Sequence, residues 1–88
     1  MIAFNQNTNM TYVANYYDNT VYAIDMNTMN VTSIRVGLGP TSLAVNPNTN
    51  IVYVVYSGSN AVSAINGSTN KVVAGPTRRA ERILQRAQ

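Results

Sequence analysis

The chain has 88 residues, room for one small domain, and a domain of that size buries proportionally little of its surface. It contains no cysteine and no histidine, which removes disulfide frameworks, thiolate metal sites, imidazole ligands and the usual general base. The net charge of +3 sits in one place: residues 1–76 balance Arg35 and Lys71 against Asp18 and Asp25, whereas residues 77–88 carry Arg78, Arg79, Arg82 and Arg86 against Glu81.

Charged residues make up 10% of the chain, against a usual quarter, while asparagine takes 13 positions, so amides and hydroxyls in turns carry the solubility. No apolar run approaches the roughly 18 residues that span a bilayer. Met1–Asn5 has neither the basic start nor the apolar centre of a secretion signal, so none is expected within this stretch.

In chain order, the apolar runs are Ile2–Phe4, Met10–Asn15, Thr20–Asp25, Asn30–Val36, Ser42–Asn46, Ile51–Tyr56, Ala61–Ile65 and Lys71–Ala74. Clusters of Asn, Ser, Thr, Gly and Pro separate them at a spacing of about ten residues, which is an all-β signal. Asn and Gly tolerate positive φ, and Asn and Ser side chains bond nearby backbone, so these clusters have the chemistry of turns. Strands joined by such short turns must run antiparallel. Ile51–Tyr56 is apolar at every position and predicts a strand covered on both faces, whereas Val31–Val36 mixes polar and apolar residues as an edge strand does.

The eight runs are two copies of one unit. Sliding Ile2–Ser33 onto Leu43–Ala74, a shift of 41 residues without a gap, gives 13 identities in 32 positions, Asn7-Thr8-Asn9 on Asn48-Thr49-Asn50 and Ala23-Ile24 on Ala64-Ile65 among them. A period near 40 is that of four-stranded propeller blades. The expected architecture is therefore two four-stranded antiparallel blades, a partial propeller, followed by a short C-terminal helix. Residues 1–36 form the first blade, 37–41 the linker and 42–75 the second blade with its fourth strand cut short. Residues 76–88 form a basic amphipathic tail. There Ala80, Ile83, Leu84 and Ala87 fall on one helical stripe, with arginines on the other side.

Several motifs together resemble the YVTN-repeat β-propellers, found largely in archaeal surface-layer and bacterial cell-envelope proteins. They are Tyr12-Val13-Ala14-Asn15, the linker Val36-Gly37-Leu38-Gly39-Pro40, the turn Val45-Asn46-Pro47-Asn48-Thr49-Asn50, and Ala64–Val73. The resemblance covers residues 1 to about 75 and implies a cell-surface or envelope location. The second copy departs from it at Tyr53-Val54-Val55-Tyr56, which loses the asparagine, and at Asn66, where the first copy has Asp25.

Candidate sites are few. A paired-carboxylate mechanism needs two acids converging on one substrate; Asp18 falls in a turn and Asp25 at a strand end, so convergence is not expected. No catalytic residue, metal site or cofactor is predicted. Tyr16, Tyr17 and Asp18 occupy a loop where the second copy has Ser57-Gly58-Ser59. Two aromatics beside an acid can stack a sugar or a peptide side chain; alternatively, one tyrosine packs on the neighbouring blade and the other is partly exposed. Tyr12 and Tyr53 recur at one blade position and read as packing residues. Three glycosylation sequons, at Asn9, Asn30 and Asn66, are close to what so many Asn, Ser and Thr produce by chance, and do not argue for export.

The function expected from this inventory is a non-catalytic binding or structural module, a fragment or self-assembling unit of a cell-surface propeller. Its partners would be other blades, either its own copies or further repeats of a parent protein, with an extracellular protein or glycan as a further possibility. Two alternatives stand beside it. One is a fragment of a propeller enzyme whose site lies in other blades. The other is an adaptor using Arg78, Arg79, Arg82 and Arg86 on nucleic acid or anionic membrane, a thin case without interleaved aromatics.

Overall fold

The computed structural model describes residues 1–56 and 61–77. It is all-β, with two four-stranded antiparallel sheets and no helix among the described residues. Strands β1 (Ile2–Asn5), β2 (Met10–Asn15), β3 (Thr20–Asp25) and β4 (Val31–Arg35) form the first sheet in that order. Strands β5 (Pro40–Asn46), β6 (Ile51–Tyr56), β7 (Val62–Asn66) and β8 (Lys71–Thr77) form the second.

The turns explain the asparagine content. In four of them an Asx side chain accepts the N–H two residues on: Asn5 from Asn7, Asp25 from Asn27, Asn46 from Asn48 and Asn66 from Ser68, at 2.9–3.0 Å. The residue four beyond each of these takes a positive φ of 58–63°, at Asn9, Met29, Asn50 and Asn70, and Asn19 adopts the same conformation at 56°. Asparagine enters the left-handed region at little cost, so its repetition at these positions sets the hairpins. Asp25 and Asn66 are equivalent here, because either side chain supplies the accepting oxygen.

Strand register sorts the residues onto faces. On one face of the first sheet, the rows Ala3–Tyr12–Ala23, Asn5–Met10–Asp25 and Ala14–Val21–Ile34 lie opposite one another. This face meets the face of the second sheet that carries Leu43, Val45, Val52, Val54, Tyr56 and Ile65, and together they make the main core. Tyr12, Val21, Val52, Val54 and Ile65 are wholly buried there. The other face of the first sheet is Ile2–Val13–Tyr22 and Phe4–Thr11–Ile24–Val31, with Ile2 64%, Phe4 53% and Val31 57% exposed.

Both ends of the second sheet differ from the sequence boundaries. β5 opens at Pro40, inside the expected 37–41 linker, and a register shift follows between Pro40 and Ser42. β8 does not stop at residue 75 but runs through Gly75 and Pro76 to Thr77, so residues 76 and 77 belong to the sheet rather than to the tail. Two register shifts admit them: Asn66 faces Lys71 and Ile65 faces Val72, yet Ala64 faces Ala74 and Val62 faces Thr77. A bulge leaves a residue out of the ladder, which suits a proline that has no N–H to donate. The expected tail helix otherwise falls on residues 78–88, outside the described residues, as does the turn 57–60. In β6, Val55 is 38% exposed, the one position of that strand that departs from the expected two-sided cover.

Candidate functional site

Beside the seam between the sheets, the β2–β3 loop and the linker after β4 enclose a shallow cleft of about 340 Å³ lined by Tyr16, Tyr17, Asn19, Leu38 and Gly39. Its walls are held from both sides. Asn19 accepts the Val36 N–H on its backbone oxygen and the Gly39 N–H on Oδ1, each at 3.0 Å. The Tyr56 hydroxyl accepts the Gly37 N–H at 3.0 Å and shares a 2.6 Å hydrogen bond with Ser63 Oγ inside the core. Glycine suits position 39 for two reasons: its φ is +70°, where most side chains are strained, and a Cβ there would lie 3.2 Å from Tyr16 Cε2, so the ring would have to shift.

Tyr16 and Tyr17 meet edge to face with centroids 5.1 Å apart. Tyr16 leans on the linker at Gly39, whereas Tyr17 is 92% exposed and Leu38 80% exposed. Asp18 is exposed in the same loop but does not line the cleft. The cleft therefore offers two ring surfaces, an aliphatic tip and an amide.

The other candidates lie apart. Asp25 accepts the Asn27 N–H at 2.9 Å and closes a turn. Asp18 and Asp25 sit at opposite ends of β3, roughly 20 Å apart at strand rise. Among the described residues no cluster of three or more His, Cys, Asp or Glu side chains could hold a metal. Arg78, Arg79, Arg82 and Arg86 lie outside the described residues.

No family model, curated protein or solved structure matches the chain. The functional reading therefore rests on its own residues.

Tyr12 and Tyr53 are buried, and burial raises the hydroxyl pKa of both above the ordinary 10.0. The Tyr12 hydroxyl is buried with no hydrogen-bond partner. A raised tyrosine pKa means that the folded chain holds its proton more tightly than the unfolded one. The resulting stability is full below pH 10 and is lost as pH rises above it, by at most about 1.4 kcal/mol per pH unit for each tyrosine. Tyr12→Phe removes an unsatisfied polar atom and one of these protons. It is expected to raise stability at pH 8 by about 1 kcal/mol and to flatten the decline above pH 10, both read from urea midpoints. A lower midpoint at pH 8 would contradict the orphaned hydroxyl.

Sequence reasoning did not find the Tyr56–Ser63–Gly37 network or the closeness of Gly67 to the first sheet. The available signals were Tyr56 in place of Asn15 and Gly67 in place of Met26 between the two copies.

Proposed function

We propose that the chain is two blades of a β-propeller of YVTN type and serves as a non-catalytic structural or binding module of a cell-surface protein. The observation that carries this reading is the stacking of two sheets of the same four-strand order and 41-residue spacing through a shared apolar core. A blade presents one face to the blade before it and the other to the blade after it, and the exposed Ile2, Phe4 and Val31 give the first sheet a second face of that kind. The Tyr16–Tyr17 corner fits contact with a ligand ring or side chain, not chemistry on it.

The two described carboxylates lie at opposite ends of one strand, so purified protein is expected to show no turnover of esters, lactones or redox dyes. Asp18→Asn and Asp25→Asn should leave that result unchanged. Reproducible activity abolished by either substitution, with the far-UV circular dichroism intact, would overturn the non-catalytic reading.

A further inference from the structure

The 41-residue shift maps faces as well as strands. The first-sheet face that packs inside the chain carries Ala3, Asn5, Tyr12, Val21 and Ala23. Its counterparts on the second sheet, turned away from the first, are Ala44, Asn46, Tyr53, Val62 and Ala64, identical at these five positions, whereas Met10, Ala14 and Asp25 of the same face become Ile51, Val55 and Asn66. Conversely, the row Phe4–Thr11–Ile24–Val31, exposed at its two ends, corresponds to Val45–Val52–Ile65–Val72, of which Val45, Val52 and Ile65 lie in the core between the sheets. One end of the molecule thus repeats the inner surface of the opposite sheet.

We propose that a second copy of this chain docks on the Ile2, Phe4, Val13, Tyr22, Ile24 and Val31 face, placing its Tyr53–Val62–Ala64 face there in the geometry already used between the two sheets. The proposal rests on the blade reading and names its partner. The contact is heterologous, one end of a copy on the other end of the next, so it closes into a ring or continues according to the rotation between copies.

The edges of the seam agree. Asn5 Nδ2 donates to Asn50 Oδ1 at 3.0 Å across the internal seam, and Asn7 Nδ2 donates to the Pro47 oxygen at 2.9 Å. The shift maps these pairs onto Asn46 with Asn9, and Asn48 with the Gln6 oxygen, of the neighbouring copy. One residue opposes the fit. Tyr12 points its hydroxyl at Gly67, where a Cβ would be 2.9 Å away, and the counterpart of Gly67 is Met26. Tyr53, Val62 and Ala64 are also already buried in the single chain, so the dry area gained lies mainly on the first sheet. Both features weaken the association.

Sedimentation velocity of the full chain across increasing concentration tests this. The expected result is a mass rising above the 9.6 kDa monomer. Phe4→Lys, which alters a side chain already 53% exposed, should weaken association about tenfold or more. Met26→Gly should strengthen it about tenfold by admitting the Tyr53 hydroxyl. A monomer at every concentration with an all-β circular dichroism spectrum would overturn the docking and leave the blade reading standing. Association unaffected by both Phe4→Lys and Met26→Gly would likewise overturn it. A spectrum lacking β structure would overturn the blade reading and the docking together.

Discussion

Replacing Gly67 by alanine is expected to destabilise the fold by about 3 kcal/mol, the upper end of what overpacking usually costs. Gly67 donates its N–H to the Asn50 oxygen at 2.7 Å, and an added Cβ would lie 2.6 Å from that oxygen and 2.9 Å from the Tyr12 hydroxyl. One obstacle is backbone and the other the end of a ring wholly buried in the core, so neither retreats easily. The first copy supplies an internal control: Met26 donates to the Asn9 oxygen at 3.0 Å, and that position accommodates a side chain. Only the second copy has a tyrosine of the preceding sheet pressed on this turn. For a chain of this length the loss corresponds to a fall in melting temperature of about 10–20 °C, while Met26→Gly should leave the monomer's melting temperature within a few degrees. A Gly67→Ala protein melting like the parent would show that the turn does not meet the first sheet.

Much of this architecture is legible in the sequence. The ranges Met10–Asn15, Thr20–Asp25 and Ile51–Tyr56 coincide with β2, β3 and β6, because polar turn clusters bound apolar runs sharply on both sides. The ends were less legible. Gly75 and Pro76 look like a stop, since proline removes a ladder donor, yet β8 passes through them by bulging, a solution that depends on the partner strand. The cleft was half legible. Tyr16 and Tyr17 stand out against Ser57 and Gly58, but Leu38 and Gly39 join them only because Asn19 of the same loop holds the linker through the Val36 and Gly39 N–H groups. No periodicity encodes such contacts between segments some 20 residues apart.

Tyr56→Phe is expected to cost about 2 kcal/mol although it deletes a single oxygen. That oxygen is a junction: it shares a 2.6 Å bond with Ser63 Oγ and accepts the Gly37 N–H at 3.0 Å. Ser63 is wholly buried, so its hydroxyl loses this partner in a place water does not reach, and the cost of an unsatisfied buried polar group follows. The double variant Tyr56→Phe with Ser63→Ala should recover part of the loss, because an apolar pair leaves only the Gly37 N–H unpaired. Urea unfolding of the single and double variants measures both. A Tyr56→Phe variant as stable as the parent, or a double variant whose loss equals the sum of the singles, would show that the two hydroxyls are not coupled.

The central claim is that the two repeats are sheets stacked face to face, with the ring of Tyr12 crossing the seam to Gly67. A two-dimensional nuclear Overhauser spectrum of the folded protein reads this directly, since the Tyr12 hydroxyl lies 2.9 Å from the position of a Gly67 Cβ, which one glycine α-proton occupies. The stacked arrangement predicts a cross-peak between the Tyr12 ring ε-protons and a Gly67 α-proton, two residues far apart in sequence and in different sheets. Its absence from a well-dispersed β spectrum, with the β1–β2 and β5–β6 cross-strand peaks present, would mean that the sheets form but do not stack this way.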